Sequence, residues 1–440
     1  MTFDNWTDVR LGDLIEVKHG WPFKSEFFSS ELTGRPVVVA IGNFRYTGGF
    51  RFDSTETKEY LGQYPREFEL KAGDILVVMT CQTSGGEILG VPARIPDDGR
   101  CYLHNQRMGK ILIKKPESID NKFLYYLFLW KDLNEELVAS YTGTKIVHTA
   151  PSRIEAFRFL LPSRPLQEAI GAILSALDKK IELNRRMNET LDKLATTLFV
   201  SWFVDFDPVQ AKRDGREPLG TPQSTIELFP EHFADSELGP IPRGWKVQPL
   251  DTIAEFLNGL ALQNFPPEAG LDLPVIKIAQ LRAGHSMGAE RASADIPPEY
   301  VIDDGDVIFS WSGSLLADVW SGGRGALNQH LFKVTSRKFP KWFFLQWTKE
   351  HLPEFQNIAA DKATTMGHIR RHHLADAKVV VPGGTLLRSL SQVQEPLLER
   401  VIANRIENRT LAAVRDTLLP ALLSGGVTIK AAEKALSRVA

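Results

Sequence analysis

The carboxylates, histidines and thiols of this chain are the groups that could do covalent or metal chemistry, and their spacing tests each possibility. Asp53 followed by Glu56-Thr57-Lys58 has the outline of a nuclease carboxylate–lysine pattern. One such tripeptide is expected by chance in 440 residues, so the pattern alone argues for nothing. His368 and the His372-His373 pair lie beside Arg370 and Arg371. A metal centre needs further ligands at fixed spacing, such as an HExxH pair, and these are missing. Cys81 reads as a small buried apolar side chain rather than a nucleophile. There is no GxxxxGK loop followed by Ser or Thr, no GxGxxG cradle and no GxSxG elbow. The residues outline a scaffold without an engine.

The elements that must position any functional side chain come in two copies. IELNRRMNETLDKLATTL from Ile181 and VIANRIENRTLAAVRDTL from Val401 match at seven of 18 positions at an offset of 220, where unrelated segments would give about one. The same offset joins Thr144 to Thr364 and His148 to His368. Upstream, with drifting offset, Asn105-Gln106 corresponds to Asn328-Gln329, GDILVV from Gly73 to GDVIFS from Gly305, and Gly20 to Gly259. The chain is one unit duplicated: a compact part, then a long helical segment.

In the compact parts, short apolar and β-branched runs at 36–42, 74–80, 110–115, 273–279 and 306–313 are bounded by Gly, Pro and Asp, as strands are. Each copy adds one aromatic-rich helical stretch, at 123–133 and 342–352. The expected fold class is α+β (mixed α/β). In the long segments, Ile170, Leu174, Leu177 and Ile181 form a seam in a three-four rhythm that also carries Asn184 and Asn188. Leu397, Val401, Asn404, Asn408, Leu411, Leu418 and Leu422 form the second seam. Amides on an apolar seam cost stability unless they find partners, so the two helices, each roughly 55–60 Å long, are expected to pair there and fix their register. Residues 205–245, rich in Pro and Gly, read as an ordered but irregular linker or a docking strap.

Composition bounds the rest. There are 52 Lys+Arg against 54 Asp+Glu, 43% hydrophobic residues and two cysteines, which suits a globular protein of a reducing cytoplasm. No signal sequence or membrane-length apolar run is present. Residues 1–162 hold 20 basic against 21 acidic residues, and residues 244–382 hold 14 against 15. Neither part can grip a polyanion by net charge alone.

Four longer motifs go further. Trp6 with LGDLIEVKHG is echoed by Trp245 with LDTIAEFLNG. PLQEAIGAILSALDKKIELNRRMNETLDKLATTLFVSWFVDFDPV is followed by LFPEHFADSELGPIPRGW. Last come TTMGHIRRHHL and IENRTLAAVRDTLLPALLSG. Over essentially its whole length the chain resembles the specificity subunit of type I restriction-modification enzymes. The resemblance implies two similar globular target-recognition domains, 1–162 and 244–382, with a central conserved long helix at 163–204. It further implies a connector at 205–243 and a distal conserved helix with a tail at 383–440. The helices would pair as an antiparallel coiled coil with pseudo-twofold symmetry and hold the domains apart. Each domain would read half of an asymmetric, bipartite site in double-stranded DNA, and two methyltransferase subunits would dock along the helices. Motor-nuclease subunits complete such an enzyme. S-adenosylmethionine belongs to the methyltransferase partners, ATP and Mg to the motor, and no cofactor to this chain. A coiled-coil scaffold without DNA contact and a fused restriction-methylation enzyme are the alternatives.

Under that resemblance, residues recurring at one offset suit phosphate anchoring. These are Thr144, Lys145, His148 and Arg153 in the first copy, and Lys362, Thr364, Thr365, His368, Arg370 and Arg371 in the second. The same loops could instead only order the junction between domain and helix. Residues peculiar to one copy suit base reading: Trp21, Lys24, Gln82 and Thr83, and Gln263, Trp311 and Arg324. Gln106, Arg107 and Gln329 either read base edges or belong to turns that Asn105 and Asn328 cap, the turn being favoured. Asn184, Asn188, Asn404 and Asn408 are assigned to helix pairing.

Overall fold

The computed structural model describes residues 6–83, 85–143, 146–216, 220–267, 270–361 and 367–437. The chain forms two compact units, Met1–Lys179 with Leu411–Ala440, and Lys180–Thr410. Among the described residues no helix is long and apolar enough to cross a membrane.

The first unit is built on two sheets. In one, Ile15–His19, Met108–Ile113, Ile75–Val78 and Pro92–Arg94 lie side by side in that order, all antiparallel. In the other, Val37–Val38 and Tyr102–Leu103 form a parallel pair at the centre. Thr7–Arg10 pairs antiparallel with Arg158–Leu161 and closes the unit.

The second unit repeats this plan. Glu255–Asn258, Leu331–Thr335, Val307–Ser310 and Leu316–Val319 follow the same order, Asp272–Ile276 and Gly325–Leu327 form the parallel pair, and Lys246–Pro249 closes on Lys378–Val381. The turn that launches the central strand is also the same. Gly73 and Gly305 take positive φ of 85° and 94°, which a side chain resists. Asp74 Oδ2 accepts the Lys71 N–H, as Asp306 Oδ2 accepts that of Asp303, each at 2.8 Å. Lys110 and Lys333 pair with those aspartates at 2.6 and 2.9 Å.

Two expectations need correction. The first aromatic-rich stretch is divided between two helices, Asn121–Leu127 and Lys131–Ala139, whereas the second is one helix, Lys341–Glu350, with a further helix, Leu352–Asp361, directly after it. Trp130 takes an extended conformation between the first two, and Pro353 sits where it can only begin a helix. The connector is more regular than a linker. It holds the helices Asp207–Arg213 and Gln223–Ile226 and a hairpin of Phe233–Ser236 with Gly239–Pro242. Val209, Phe229 and Ile241 anchor it in the second unit's core beside Trp245. Its few apolar residues are spaced too irregularly to show a period, yet Val209, Ile226, Phe229 and Ile241 are buried.

The long helices run Arg164–Phe203 and Gly384–Leu423, 40 residues each. Within the first unit Ile170 and Leu174 pack in one core with Leu418 and Leu422. Within the second unit the seam amides meet. Asn184 Nδ2 donates to Asn408 Oδ1 at 3.0 Å, and Asn408 Nδ2 to the Ile181 carbonyl at 3.3 Å. Asn404 Nδ2 donates to Asn188 Oδ1 at 2.8 Å, and Asn188 Nδ2 to the Val401 carbonyl at 3.2 Å. The second pair of bonds is the first with the helices exchanged, so the pairing is antiparallel and internally twofold. The Asn184 and Asn404 amide oxygens, buried at the same place in each helix, are left without partners. After the second helix, Thr428 caps Ile429–Leu436, which packs through Ala432 into the first unit's core.

Candidate nucleic-acid interface

In each unit a glycine lets two backbones touch at one end of the central strands. A Cβ at Gly20 would lie 2.3 Å from the Asn105 carbonyl oxygen, and one at Gly259 would lie 2.3 Å from that of Asn328. The residue after each glycine forms a parallel bridge to that asparagine, Trp21 to Asn105 and Leu260 to Asn328. Each asparagine caps its own turn. Asn105 Oδ1 accepts the Arg107 N–H at 3.1 Å, and Asn328 Oδ1 that of His330 at 3.2 Å.

This loop is tied to the end of the central strand and to the segment leading toward the long helix. Met79 N–H donates to the Arg107 carbonyl and Thr149 N–H to that of Met79, both at 2.9 Å. The second unit has Trp311 N–H to the His330 carbonyl at 3.4 Å and Ile369 N–H to that of Trp311 at 3.0 Å. Next along the strand stands a hydroxyl bonded to a histidine, but from different directions. Thr80 Oγ1 meets His148 Nδ1, whereas Ser312 Oγ meets His330 Nδ1, both at 3.0 Å.

In the first unit these bonds gather Trp21, Gln106, Arg107 and His148, all exposed, around one strand end. Gln82 and Thr83 continue from that strand, Lys24 follows Trp21, and Arg153 lies exposed on the helix Pro151–Ala156. Thr83 is already engaged, its hydroxyl donating to Glu87 at 2.6 Å. In the second unit Gln329, Trp311, His368 and Arg370 gather in the same way. Trp311 is half-buried, its indole N–H donating to Asn258 Oδ1 at 2.8 Å and its ring packing on Phe332 and His368. Arg371 lies over the Phe332 ring and donates to the Phe256 carbonyl. Gln263 is exposed on the turn Leu262–Asn264, after Gly259.

Arg324 is set apart from this group. It follows the Val319 end of the sheet, where Gly323 N–H donates to Asp304, whereas Trp311 and Gln329 adjoin the Ser310 end. Thr144, Lys145, Lys362, Thr364 and Thr365 lie outside the described residues.

Charge at the site follows from burial. His104, beside Asn105, gives its ring Nε2–H to the Met108 carbonyl at 2.8 Å, and burial pushes its pKa down to about 4. It therefore stays neutral near pH 7 and supports the turn rather than offering charge. Asp53, from the nuclease-like pattern, accepts the Thr55 hydroxyl at 2.6 Å and backbone N–H at 3.0 Å, and these bonds hold its pKa at about 2. It is a turn-capping carboxylate beside Arg51. His373 Nδ1 accepts the Arg370 N–H and caps the helix Arg371–Asp376. No cluster of three or more metal-binding side chains occurs among the described residues.

Sequence reasoning missed Thr80, Ser312, His104 and Asn258. Aligning GDILVVMT with GDVIFSWS places Thr80 and Ser312 in one register, so that hydroxyl was discoverable. Asn258 carries no such signal, because its partner Trp311 lies 53 residues away.

A paired strand frame whose rim loops vary is the architecture of a recognition protein. Residues 4–193 match the family model of the type I restriction modification DNA specificity domain. The chain is 26% identical over 340 residues to the type I restriction enzyme MjaIX specificity subunit of Methanocaldococcus jannaschii, covering 74% of this chain and 73% of that protein. It is 22% identical to the HindI specificity subunit of Haemophilus influenzae, over 96% of this chain and all of the relative. The fold is that of a type I restriction-modification S subunit from M. genitalium, with a TM-score of 0.53 and 17% identity over 95% of this chain and 96% of that one. The chain is thus similar, over most of its length, to specificity subunits of type I restriction enzymes, and its first 193 residues carry the match to the specificity-domain model.

Proposed function

We propose that each unit reads one half of an asymmetric, bipartite sequence in double-stranded DNA, and that the paired helices set the gap between the halves. One observation supports this most directly. The two units share the Gly–Asn-Gln frame, while Met79, Arg107 and the Thr80–His148 pair stand where the second unit has Trp311, His330 and the Ser312–His330 pair. Equal frames with unequal side chains read unequal half-sites. His148, His368, Arg153, Arg370 and Arg371, together with Thr144, Lys145, Lys362, Thr364 and Thr365, anchor phosphates. Trp21, Lys24, Gln82, Thr83, Gln106, Arg107, Gln263, Trp311 and Gln329 face the bases. Arg324 is the exception and takes no part in base reading. Two methyltransferase subunits dock along the helices and carry S-adenosylmethionine. Motor-nuclease subunits bring ATP and Mg, and the complex works in the cytoplasm. Because neither residues 1–162 nor residues 244–382 carry net positive charge, binding by this chain alone is weak and salt-sensitive, and the methyltransferases close around the duplex.

Methylome sequencing of cells expressing this chain with its methyltransferase tests the reading. A bipartite modified site should appear only when the chain is present, and exchanging residues 1–162 for another family member's domain should alter one half-site. Alteration of both halves, or of neither, would overturn it. One helical turn added to both long helices should lengthen the gap.

A further inference from the structure

The buried amides fix the register of the two long helices but do not say which helix pairs with which. Asn184 faces Asn408 and Asn188 faces Asn404, and the two helices correspond at an offset of 220. Laid antiparallel against a second copy of itself in that register, the first helix would set Asn184 opposite Asn188. The second helix against its own copy would set Asn404 opposite Asn408. Every amide–amide and amide–carbonyl bond survives in all three pairings, and only the bond from Asn184 Nδ2 to Glu407 Oε2, at 2.8 Å, depends on the partner, so the asparagines themselves discriminate little.

We propose that the Asp178–Arg415 ion pair supplies the missing discrimination and commits the first helix to the second within one chain. Arg415 Nη1 donates to Asp178 Oδ1 at 2.8 Å, with only 7% of the arginine side chain exposed. The other carboxylate oxygen accepts the Tyr126 hydroxyl at 2.7 Å, while Asp416 on the same helix takes the remaining guanidinium N–H groups. The internal twofold breaks here, because the positions equivalent to Asp178 and Arg415 are Leu398 and Ala195. In a pair of two first helices, Asp178 would face Leu194 or Ala195. In a pair of two second helices, Arg415 would face Leu397 or Leu398. Each wrong pairing therefore takes from Asp178 its cation, or leaves Arg415 with only Asp416 of its own helix, twice per dimer. Lys193 and Glu399, the charges adjoining those positions, lie on the exposed faces of their helices. Lys180 with Glu407, 3.2 Å apart near the amides, adds discrimination against the pair of first helices alone: there Lys180 would face Met187, whereas in a pair of second helices Glu407 would face Arg400 and keep a cation. A buried pair that costs desolvation is thus kept for choosing the partner rather than for strength.

The experiment is refolding of the full chain from denaturant over a wide range of protein concentration, read by light scattering on a sizing column. The unaltered chain should return as a monomer at every concentration. Asp178→Leu with Arg415→Met should fold, by circular dichroism, but return with a species of doubled mass whose share rises with concentration. Asp178→Asn with Arg415→Gln, which keeps the shape and removes the charge, should do the same should the apolar variant not fold. The exchange Asp178→Arg with Arg415→Asp restores complementarity and should return as monomer. A dimer that merely swaps first and second helices between chains keeps the pair and would form equally in all of them. Charge-free variants as monomeric as the parent, or a dimerising exchange variant, would overturn the proposal.

Discussion

The rims of the two units differ most where their frames agree best. Both carry a glycine against an asparagine carbonyl, and both tie that turn to the central strand by the same backbone bonds. On this shared support the first unit buries His104 where the second buries Leu327, and Met79 where the second half-exposes Trp311. Backbone bonding is indifferent to side-chain identity, so the support can be copied unchanged while its occupants diverge. The recognition surface is what duplication left free to change.

The largest test of that contrast is pH. His104 has an ordinary pKa of 6.5 when unfolded and about 4 when folded, so the neutral form is favoured by folding. Its contribution is whole above pH 6.5 and is lost as pH falls toward 4, on the order of 3 kcal/mol in all. Hydrogen exchange around residues 102–108 should quicken over that window, while residues 325–331, with Leu327, stay level. His104→Leu should flatten the response, and equal acid sensitivity in both units would break the comparison.

Next in size is the shared glycine. Gly20→Ala and Gly259→Ala each drive a methyl into a carbonyl oxygen and should each cost about 2 kcal/mol in denaturant unfolding. A marked inequality would mean that one frame is supported differently. A smaller effect distinguishes the units again. In the second unit Arg409 grips Asp304 through two bonds of 2.8 and 2.6 Å, and Arg405 grips Asp318 at 2.9 Å. The first-helix position equivalent to Arg409 is Glu189, which carries the opposite charge. These pairs are partly exposed, so Arg405→Ala and Arg409→Ala should cost about 1 kcal/mol each, seen as faster exchange at 303–306 and 318–323 only. The smallest expected change is a symmetric one. Lys110→Met and Lys333→Met should each lower stability by about 0.5 kcal/mol and by similar amounts.

Much of this was legible in order alone. The duplication, the strand runs and the seam need only local periodicity, and the seam asparagines could be placed because burying an amide demands an amide or carbonyl opposite. Whether the connector is a linker or a strap was not legible, because Val209, Phe229 and Ile241 are apolar at no regular interval, and only the core that receives them gives them meaning. The place of Arg324 was hidden for a related reason. Being peculiar to one copy marks a residue as variable, but not which end of a strand it occupies.

The chain's own order thus determined two copies of one frame, two helices with amides in register and a rim of polar side chains, since these follow from spacing along a single strand or helix. Tertiary structure alone decided that Arg415 lies against Asp178, that Thr80 and Ser312 take histidines from different segments, and that the two glycines bring distant backbones together. Those choices join residues from 18 to 237 positions apart, and no local pattern encodes which of many compatible partners a buried polar group will meet.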